Sequence, residues 1–406
     1  MLVVAASSEQ KTQRDCSFVF VTSSRDRSTL TARNATFLRS LGYAVDNGDN
    51  NNNDVLSVGG EPVLDDRIVK IETHTYNPYG NTSFGHSDEI RIPIQQQDVY
   101  TLPYNSYLYV KRKFSLQTTA GAAERSGAAA AALTNNCVAF MFDEIRYELN
   151  SVEIDRNRNP GVTSTLKNYV FLTTETGNVL RHAGWNLSTN KGVGEFNFCV
   201  PLRTLLGFCE DYKRVVINAR HELILIRSRN DNNSIFASAN SESTVELHKV
   251  QWRIPHVVLN DVNKLKLLRT LESGRYLSMG FCSWDLYEYP LLQSTTSHSW
   301  AVKAAKQLEK PRYIIFALQT GRKNVVSRDC SRFDYCNLSN VKLFLNSEFY
   351  PYDDLNLDFS KERYAVLYNM YVKFNRAYYG RDEDEALLTL DKFIYCGPLV
   401  VIDWLR

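Results

Sequence analysis

The stretch FDEIRYELNSVEIDRNRNPGVTSTLKNYV, residues 142–170, has a counterpart in NVKLFLNSEFYPYDDLNLDFSKERYAVLYNMYVKFNRAYY, residues 340–379. Each copy begins as an alternating apolar run that ends in Leu-Asn-Ser, at residues 149–151 and 345–347. An acidic turn follows, and then a segment with helical periodicity. The copies lie roughly 200 residues apart, well beyond the roughly 20–50 residues of a solenoid repeat. The duplication therefore predicts two similar domains in tandem.

The sequence around the two copies has the pattern of short strands. Apolar residues alternate over Glu89–Ile94 and Tyr107–Leu116, which places one face of each strand on a core and the other in water. Further strands are predicted at residues 215–226 and 245–254, and Tyr313–Leu318 is a fully apolar run suited to a sandwich interior. The pattern predicts an all-β protein.

Two helices interrupt this all-β pattern, one in each copy. In the second copy, Ser360 is a suitable N-cap and Gly380 a suitable stop. Aromatic and aliphatic residues recur between them at helical spacing, and the first copy has a weaker equivalent around Leu166 and Tyr169. Such a stripe is more often part of a core than a surface on which bases stack, so we expect both helices to pack internally.

The domain boundaries follow from composition. Residues 1–56 end in the polar run 46–54 and are predicted to form a partly disordered N-terminal arm, although alternation at Phe18 and Phe20 leaves a strand that pairs elsewhere as an option. Residues 57–260 are predicted to form the first sandwich and 261–406 the second. The second copy is followed by a helix and little more, so we expect the second sandwich to be incomplete at its C-terminal end unless another segment or chain covers it.

Composition and charge exclude several classes of protein. With 406 residues and 44% apolar residues the chain can bury real cores, so a disordered chain is excluded. The formal charge of +2 does not demand a nucleic-acid partner, and only the basic residues of the N-terminal region suggest such contact. No membrane span is expected, because no stretch approaches about 18 consecutive apolar residues. The N-terminus is a poor secretory signal, so the protein is expected not to be secreted.

Residue types that carry chemistry are present but not in the patterns that chemistry needs. The eight cysteines show no CxxC pairing and are expected to be free thiols, and the seven histidines are isolated from one another in the sequence. The acidic residues Asp143, Glu148, Glu153 and Asp155 could meet as a glycosidase-like pair. Their alternation with arginines at 146, 156 and 158 favours surface ion pairs instead. We therefore predict no catalytic, cofactor-binding or metal-binding residue.

The two copies and the stretches QLEKPRYIIFALQTGRKN (307–324) and FDYCNLSNVKLFLNSEFYPYDDLNLDF (333–359) resemble the double jelly-roll major capsid proteins of double-stranded DNA viruses. Within that class, the resemblance is closer to the capsid proteins of Polinton or Maverick elements and adintovirus-like insertions, and it spans residues 85–406. The resemblance implies two eight-stranded jelly rolls side by side and three copies in a pseudo-hexagonal capsomer. It also implies other capsid proteins as partners, a location in the virion or in the host cytoplasm or nucleus, and no active site.

Two other functions remain open from the residues alone. Aromatic-rich segments such as residues 74–79 are also consistent with a β-sandwich module that binds glycans or protein partners. A glycoside-cleaving enzyme would have to use the acidic turns, and Glu148 and Asp155 are the residues that would test it.

Overall fold

The structure is a computed structural model of the chain. It describes residues 2–8, 16–29, 67–80, 83–96, 99–118, 131–186, 194–237, 241–273, 278–289, 292–302, 311–345, 348–379 and 385–403. The strands are β1 Leu2–Ser8, β2 Cys16–Thr29, β3 Ile68–Tyr76, β4 Glu89–Ile94, β5 Tyr100–Thr101, β6 Tyr107–Thr118, β7 Ala131–Leu133, β8 Phe142–Leu149, β9 Val152–Arg158, β10 Gly194–Pro201, β11 Val216–Ile217, β12 His221–Arg227, β13 Ile235–Ala237, β14 Ser241–Leu259, β15 Ser278–Tyr289, β16 Ser297–Val302, β17 Pro311–Thr320, β18 Leu338–Leu345, β19 Glu348–Tyr350 and β20 Val400–Asp403. The α-helices are α1 Pro160–Phe171, α2 Thr174–Val179, α3 Gly207–Asp211, α4 Asp261–Glu272, α5 Ala365–Tyr379 and α6 Leu390–Cys396.

The first sandwich consists of two antiparallel sheets. One contains β3, β14, β6 and β10 in that order, with β5 and β11 continuing from β14, and the other contains β4, β12, β8 and β9. Leaving out the short strands β5, β7, β11 and β13, the eight longer strands of this sandwich can be numbered one to eight along the chain. The first sheet then has the order one, eight, three, six, and the second has the order two, seven, four, five. The strands predicted at 89–94, 107–116 and 245–254 are all present. The stretch 215–226 forms two strands, β11 and β12.

The second sandwich repeats this strand order, but two of its strands come from the N-terminus. Its sheets contain β15, β2, β17, β20 and β16, β1, β18, β19 in those orders. Strands β15 to β20 occupy positions one to six, while β1 and β2 occupy positions seven and eight. The all-β architecture with a helix in each unit is confirmed.

The structure differs from the predicted N-terminal arm at residues 2–8 and 16–29, which lie between other strands. The C-terminal part of the chain leaves two strand positions of the second sandwich unfilled. The N-terminal segment occupies them because its alternating apolar residues suit strands with one face in a core. The second sandwich, expected to be incomplete, is covered by this other segment of the same chain. The low-complexity run 46–54 lies outside the described residues, as does most of the Ala-rich stretch 120–133.

The repeated Leu-Asn-Ser element is a hairpin. Asn150 and Ser151 have φ angles of 50° and 64° and join β8 to β9, with Leu149 opposite Val152. Two successive residues with positive φ match the twist of the flanking strands, and asparagine adopts this conformation more readily than most residues. In the second copy Leu345 lies opposite Glu348 in the same way, while residues 346–347 lie outside the described residues.

Helices α1 and α5 join the two sandwiches. Every residue of α1 is buried, and Phe171 at its end packs edge to face against Tyr378 of α5 at 4.4 Å. The hydroxyl of Tyr371 donates to the carbonyl of Tyr169 (2.8 Å) and accepts from the amide of Leu388 (3.1 Å). The predicted role of the aromatic stripe in a core is confirmed, since Leu367, Tyr371 and Phe374 are buried.

A second contact between the sandwiches lies at α3. The carboxylate of Asp211 accepts a hydrogen bond from the amide of Cys282 on β15 (2.7 Å). Phe208 packs edge to face against Phe281 at 5.3 Å. Gly207 lies so close to β15 that a β-carbon there would be 1.7 Å from the carbonyl oxygen of Cys282. Only glycine permits this approach of helix to strand.

We predict that Gly207→Ala destabilises the protein by about 2 kcal/mol, because the clashing atom belongs to the backbone and the two elements must separate. The measurement is the midpoint of urea unfolding. Gly280→Ala on the same strand is the matched control, since a β-carbon at that position meets nothing within 4 Å. Equal effects of the two substitutions would contradict the close contact of α3 with β15.

Candidate assembly surfaces

The acidic residues proposed as a catalytic pair have structural partners. Asp155 is buried, and its carboxylate accepts hydrogen bonds from the amides of Arg156 (2.8 Å) and Phe208 (2.9 Å). The second bond ties β9 to the first turn of α3. Glu148 lies opposite Glu153 rather than opposite Asp155. The structure therefore does not bring Glu148 and Asp155 together as cross-strand partners.

Arginines connect Glu144, Glu148 and Glu153 of the β8–β9 hairpin. Arg146 lies 3.0 Å from Glu144, 3.7 Å from Glu148 and 3.7 Å from Glu153. Arg156 lies 3.1 Å from Glu144 and 3.6 Å from Glu153. The predicted ion pairs form at Glu148 and Glu153, whereas Asp155 takes backbone amides as its partners instead. The outward face of this hairpin is a set of charges that are paired within the chain.

The same face of the second sandwich is aromatic. Phe344 of β18 lies opposite Phe349 of β19 in the register that pairs Glu148 with Glu153 in the first copy. The Phe349 ring stacks on Tyr352 at 5.9 Å, and the Lys342 ammonium lies 4.5 Å from its centre. Phe344 is 39% exposed, Phe349 38% and Tyr352 81%. We call Phe344, Phe349 and Tyr352 the aromatic patch.

The basic run Lys111–Lys113 does not form a basic surface. Arg112 is fully buried, with its guanidinium 3.2 Å from the Cys137 sulfur and over the ring of Phe198 at 5.2 Å. Lys111 lies 3.3 Å from Glu195. Of the basic residues in the N-terminal region, Arg25 and Arg27 lie on β2, while Lys11, Arg14, Arg33 and Arg39 lie outside the described residues. Nucleic-acid contact through this region stays a prediction.

Comparison with known proteins agrees with this architecture. The double jelly roll-like domain family matches residues 131–406. The chain belongs to this family. No curated protein sequence matches it.

Solved structures of viral capsid proteins are similar to this double jelly roll chain. The Faustovirus major capsid protein is 8% identical, with 49% of this chain and 56% of that chain covered and a TM-score of 0.37. PBCV-1 VP54, fitted into a reconstruction of the virophage Sputnik, is 12% identical, with coverage of 51% and 46% and a TM-score of 0.36. The mavirus major capsid protein is 10% identical, with coverage of 47% and 47% and a TM-score of 0.31. The chain spans about half the length of these structures.

The buried cysteines of this double jelly roll protein, Cys137, Cys209, Cys330 and Cys396, are free thiols. Burial raises the pKa of the Cys209 and Cys330 thiols, that of Cys330 to about 12, which keeps both protonated. Within the described ranges, no group of three or more His, Cys, Asp and Glu side chains could hold a metal ion. No described helix is long and apolar enough to cross a membrane.

Strand pairing brings together two histidines that the sequence separates. His74 of β3 stacks on His256 of β14, with ring centroids 4.1 Å apart, and the Tyr76 hydroxyl lies 3.0 Å from His256 Nε2. Burial, followed by the charge on His74, lowers the pKa of His256 to about 4. Isolation in the sequence thus did not mean isolation in space. The missing signal was the β3–β14 register, which no local pattern carries.

A third histidine, His221, lies in the interior of the first sandwich. Its Nδ1 lies 2.6 Å from the Tyr147 hydroxyl and its Nε2 lies 2.9 Å from the Thr101 hydroxyl, so both ring nitrogens have partners. Burial lowers the pKa of His221 to about 3. The imidazole is neutral in the folded protein and is held by hydrogen bonds to hydroxyls, which is a structural role.

We predict that the protein loses stability as pH falls from about 6.5 toward about 3, at up to about 1.4 kcal/mol per pH unit from His221. The unfolded chain protonates this histidine near its ordinary pKa, whereas the folded chain does not until the lower pKa. The unfolded state therefore binds more protons throughout that window. Urea unfolding at about pH 7 and about pH 4.5 measures the effect.

His221→Gln retains hydrogen-bonding capacity but does not titrate, so it should reduce the pH dependence. The exposed His182 provides the control through His182→Gln. An unchanged pH dependence in the His221→Gln protein would show that His221 is not the group responsible.

Proposed function

We propose that this protein is a structural major capsid protein, or a genome-integrated relative of one, of a double-stranded DNA virus-like element. Its copies assemble into trimeric, pseudo-hexagonal capsomers. The observation that carries the proposal is the presence in one chain of two sandwiches with the same strand order, joined by packed helices. Three such chains around a three-fold axis present six similar sandwiches, which is the arrangement of a pseudo-hexagon.

The role proposed is structural and not enzymatic. Glu148 and Glu153 are engaged in ion pairs with Arg146, Asp155 in hydrogen bonds to backbone amides, and His221 in hydrogen bonds to hydroxyls. The proposed partners are further copies of the chain and other capsid proteins. The proposed location is the virion and the cytoplasm or nucleus of the host cell. Polinton or adintovirus-like elements are the proposed source.

We predict that the purified 406-residue chain forms an assembly of three times the mass of the 46.5 kDa polypeptide, or larger particles. Size-exclusion chromatography with light scattering measures the mass, and negative-stain microscopy shows whether the trimers have a pseudo-hexagonal outline. A stable protein that stays monomeric at the highest accessible concentration would overturn the proposed function.

The aromatic patch supports contact between copies. Aromatic side chains are enriched where protein surfaces meet, and they contribute much of the energy of association. The corresponding face of the first sandwich carries ion pairs that need no partner outside the chain. We infer that the aromatic patch contacts a neighbouring copy and that the charged hairpin does not need to.

We predict that Phe344→Glu with Phe349→Glu weakens self-association by about 2 kcal/mol or more per contact, because carboxylates replace aromatic rings at the interface. The substitution gives the second hairpin the side-chain pair that the first hairpin has at 148 and 153. Light scattering over a dilution series measures association, and urea unfolding tests whether the fold is retained.

The matched control for the aromatic patch is Glu148→Gln with Glu153→Gln, which changes the corresponding hairpin of the first sandwich. We expect that protein to associate as the unmodified chain does. Unaltered association of the Phe344→Glu, Phe349→Glu protein would place the contact elsewhere on the surface.

A second candidate function is a β-sandwich module that binds glycans or proteins. The observation that favours it is Tyr79, which is 82% exposed at the end of the segment 74–79. An exposed aromatic ring can stack on a sugar or anchor a partner. A glycan array or a pull-down with the monomeric protein tests this function, and Tyr79→Ala is the variant that should lose any ligand found.

A further inference from the structure

The second sandwich contains a gap that its own C-terminal strands do not close. Strands β15 and β17 do not pair with each other, because β2 lies between them and pairs with both. Tyr289 of β15 lies opposite Phe18 of β2, and Thr320 of β17 lies opposite Cys16 of β2. Strands β16 and β18 are separated in the same way by β1. The two sheets have the orders β15-β2-β17-β20 and β16-β1-β18-β19. Without β2 the first sheet would separate between β15 and β17, and without β1 the second would separate between β16 and β18.

An empty gap would be costly at its centre. Ile315 and Phe316 of β17 are buried, and the side chain of Val19 on β2 belongs to the same core. Removing β2 would expose these side chains and leave unpaired the backbone groups of β15 and β17 that face β2, at about 1 kcal/mol for each hydrogen bond lost. Unpaired strand edges also attract any extended chain nearby. The fold therefore requires an occupant with the alternation of residues 2–29.

The strands that receive this occupant all lie within residues 278–345. Residues 30–66 separate the occupant from β3 and, fully extended, span at most about 120 Å at roughly 3.3 Å per residue. A compact chain of this length has a diameter of roughly 55–60 Å. The connection is therefore long enough for residues 2–29 to reach a neighbouring molecule.

Exchange between identical chains preserves the contacts of the gap. Every backbone pair that β1 and β2 make within their own chain is available in the second sandwich of another copy. The exchange therefore costs little free energy, and its extent depends on the local concentration of neighbouring copies. The proposed capsid function supplies that concentration, and the inference rests on the proposed function to this extent.

We propose that the gap in the second sandwich is a strand-acceptor site and that, when the protein assembles, its occupants are strands β1 and β2, Leu2–Ser8 and Cys16–Thr29, of a second copy of this chain. The exchanged strands keep the register of the single chain. Each copy is then both donor and acceptor, and neighbouring copies are linked through their sheets as well as through their surfaces.

Cysteine pairs across β2 and β15 test this inference. Ser24 lies opposite Ser283, and directly opposite residues in antiparallel strands are close enough for a disulfide. One copy carries Ser24→Cys and another, with a different tag, carries Ser283→Cys. The two are co-expressed, oxidised and separated on a non-reducing gel. The control pair combines Ser24→Cys with Ser299→Cys on β16, which lies opposite Ala5 in the other sheet.

We expect the Ser24→Cys and Ser283→Cys copies to give much more disulfide-linked product with both tags than the control pair gives. If exchange between equal copies is random, this product should contain about half of the chains. The double variant Ser24→Cys, Ser283→Cys in one chain reports the alternative. If its disulfide forms only within single chains and the mixed copies give no more product than the control, strand exchange is wrong. If the double variant forms no disulfide of either kind, the acceptor site itself is wrong.

Microscopy of the same samples separates the inference from the proposed function. Trimers or particles whose disulfides lie only within chains would exclude strand exchange and leave the capsid function standing. Linked dimers that never form trimers or particles would support strand exchange and exclude the capsid function.

Discussion

The pairing of β2 with both β15 and β17 is the constraint on which the second half of the molecule depends. An interior strand must satisfy its backbone groups on both sides, and the C-terminal strands alone leave that position empty. Strand β15, held on one edge by β2, also receives α3 of the first sandwich through Cys282 and Asp211. The N-terminal segment thus stabilises the contact between the sandwiches, although it is distant from both in the sequence. The next described residue after it is residue 67.

Features that depend on local pattern could be predicted from the sequence. The strand Glu89–Ile94 was predicted with its observed bounds, and the helix of the second copy was found because aromatic spacing identifies its buried face. The predicted N-cap at Ser360 is wrong, because Ser360 lies within a short 3₁₀ turn that Asp358 caps, and α5 begins only at Ala365. Local patterns therefore predicted that these elements exist. Their boundaries depend on the side chains that cap one element and start the next.

Features that depend on pairing between distant segments could not be predicted. Alternation at Phe18 and Phe20 indicated a strand but not its neighbours, because apolar alternation is the same whichever strand lies beside it. The stacking of His74 on His256 has the same origin in a register between distant strands. The carboxylate of Asp155 was recognised as structural from its charged neighbours, yet its actual partners are backbone amides, and only the docking of α3 brings one of them, that of Phe208, near.

Comparison of the two hairpins of the duplicated element distinguishes residues that the fold requires from residues that depend on what lies around each sandwich. Their inward residues agree in kind, with Tyr147 and Leu343 both buried, because each must fill a sandwich core. Their outward pairs do not agree. Two glutamates opposite each other repel unless arginines intervene, as Arg146 does in the first hairpin, whereas Phe344 and Phe349 attract each other and leave exposed rings. Since Phe344 and Phe349 hold the same cross-strand positions next to the turn as Glu148 and Glu153, strand pairing at these positions does not account for the difference. It is the difference expected if the two sandwiches of one chain face different neighbours, as they would in the proposed trimer, whose three-fold axis only approximates a six-fold one.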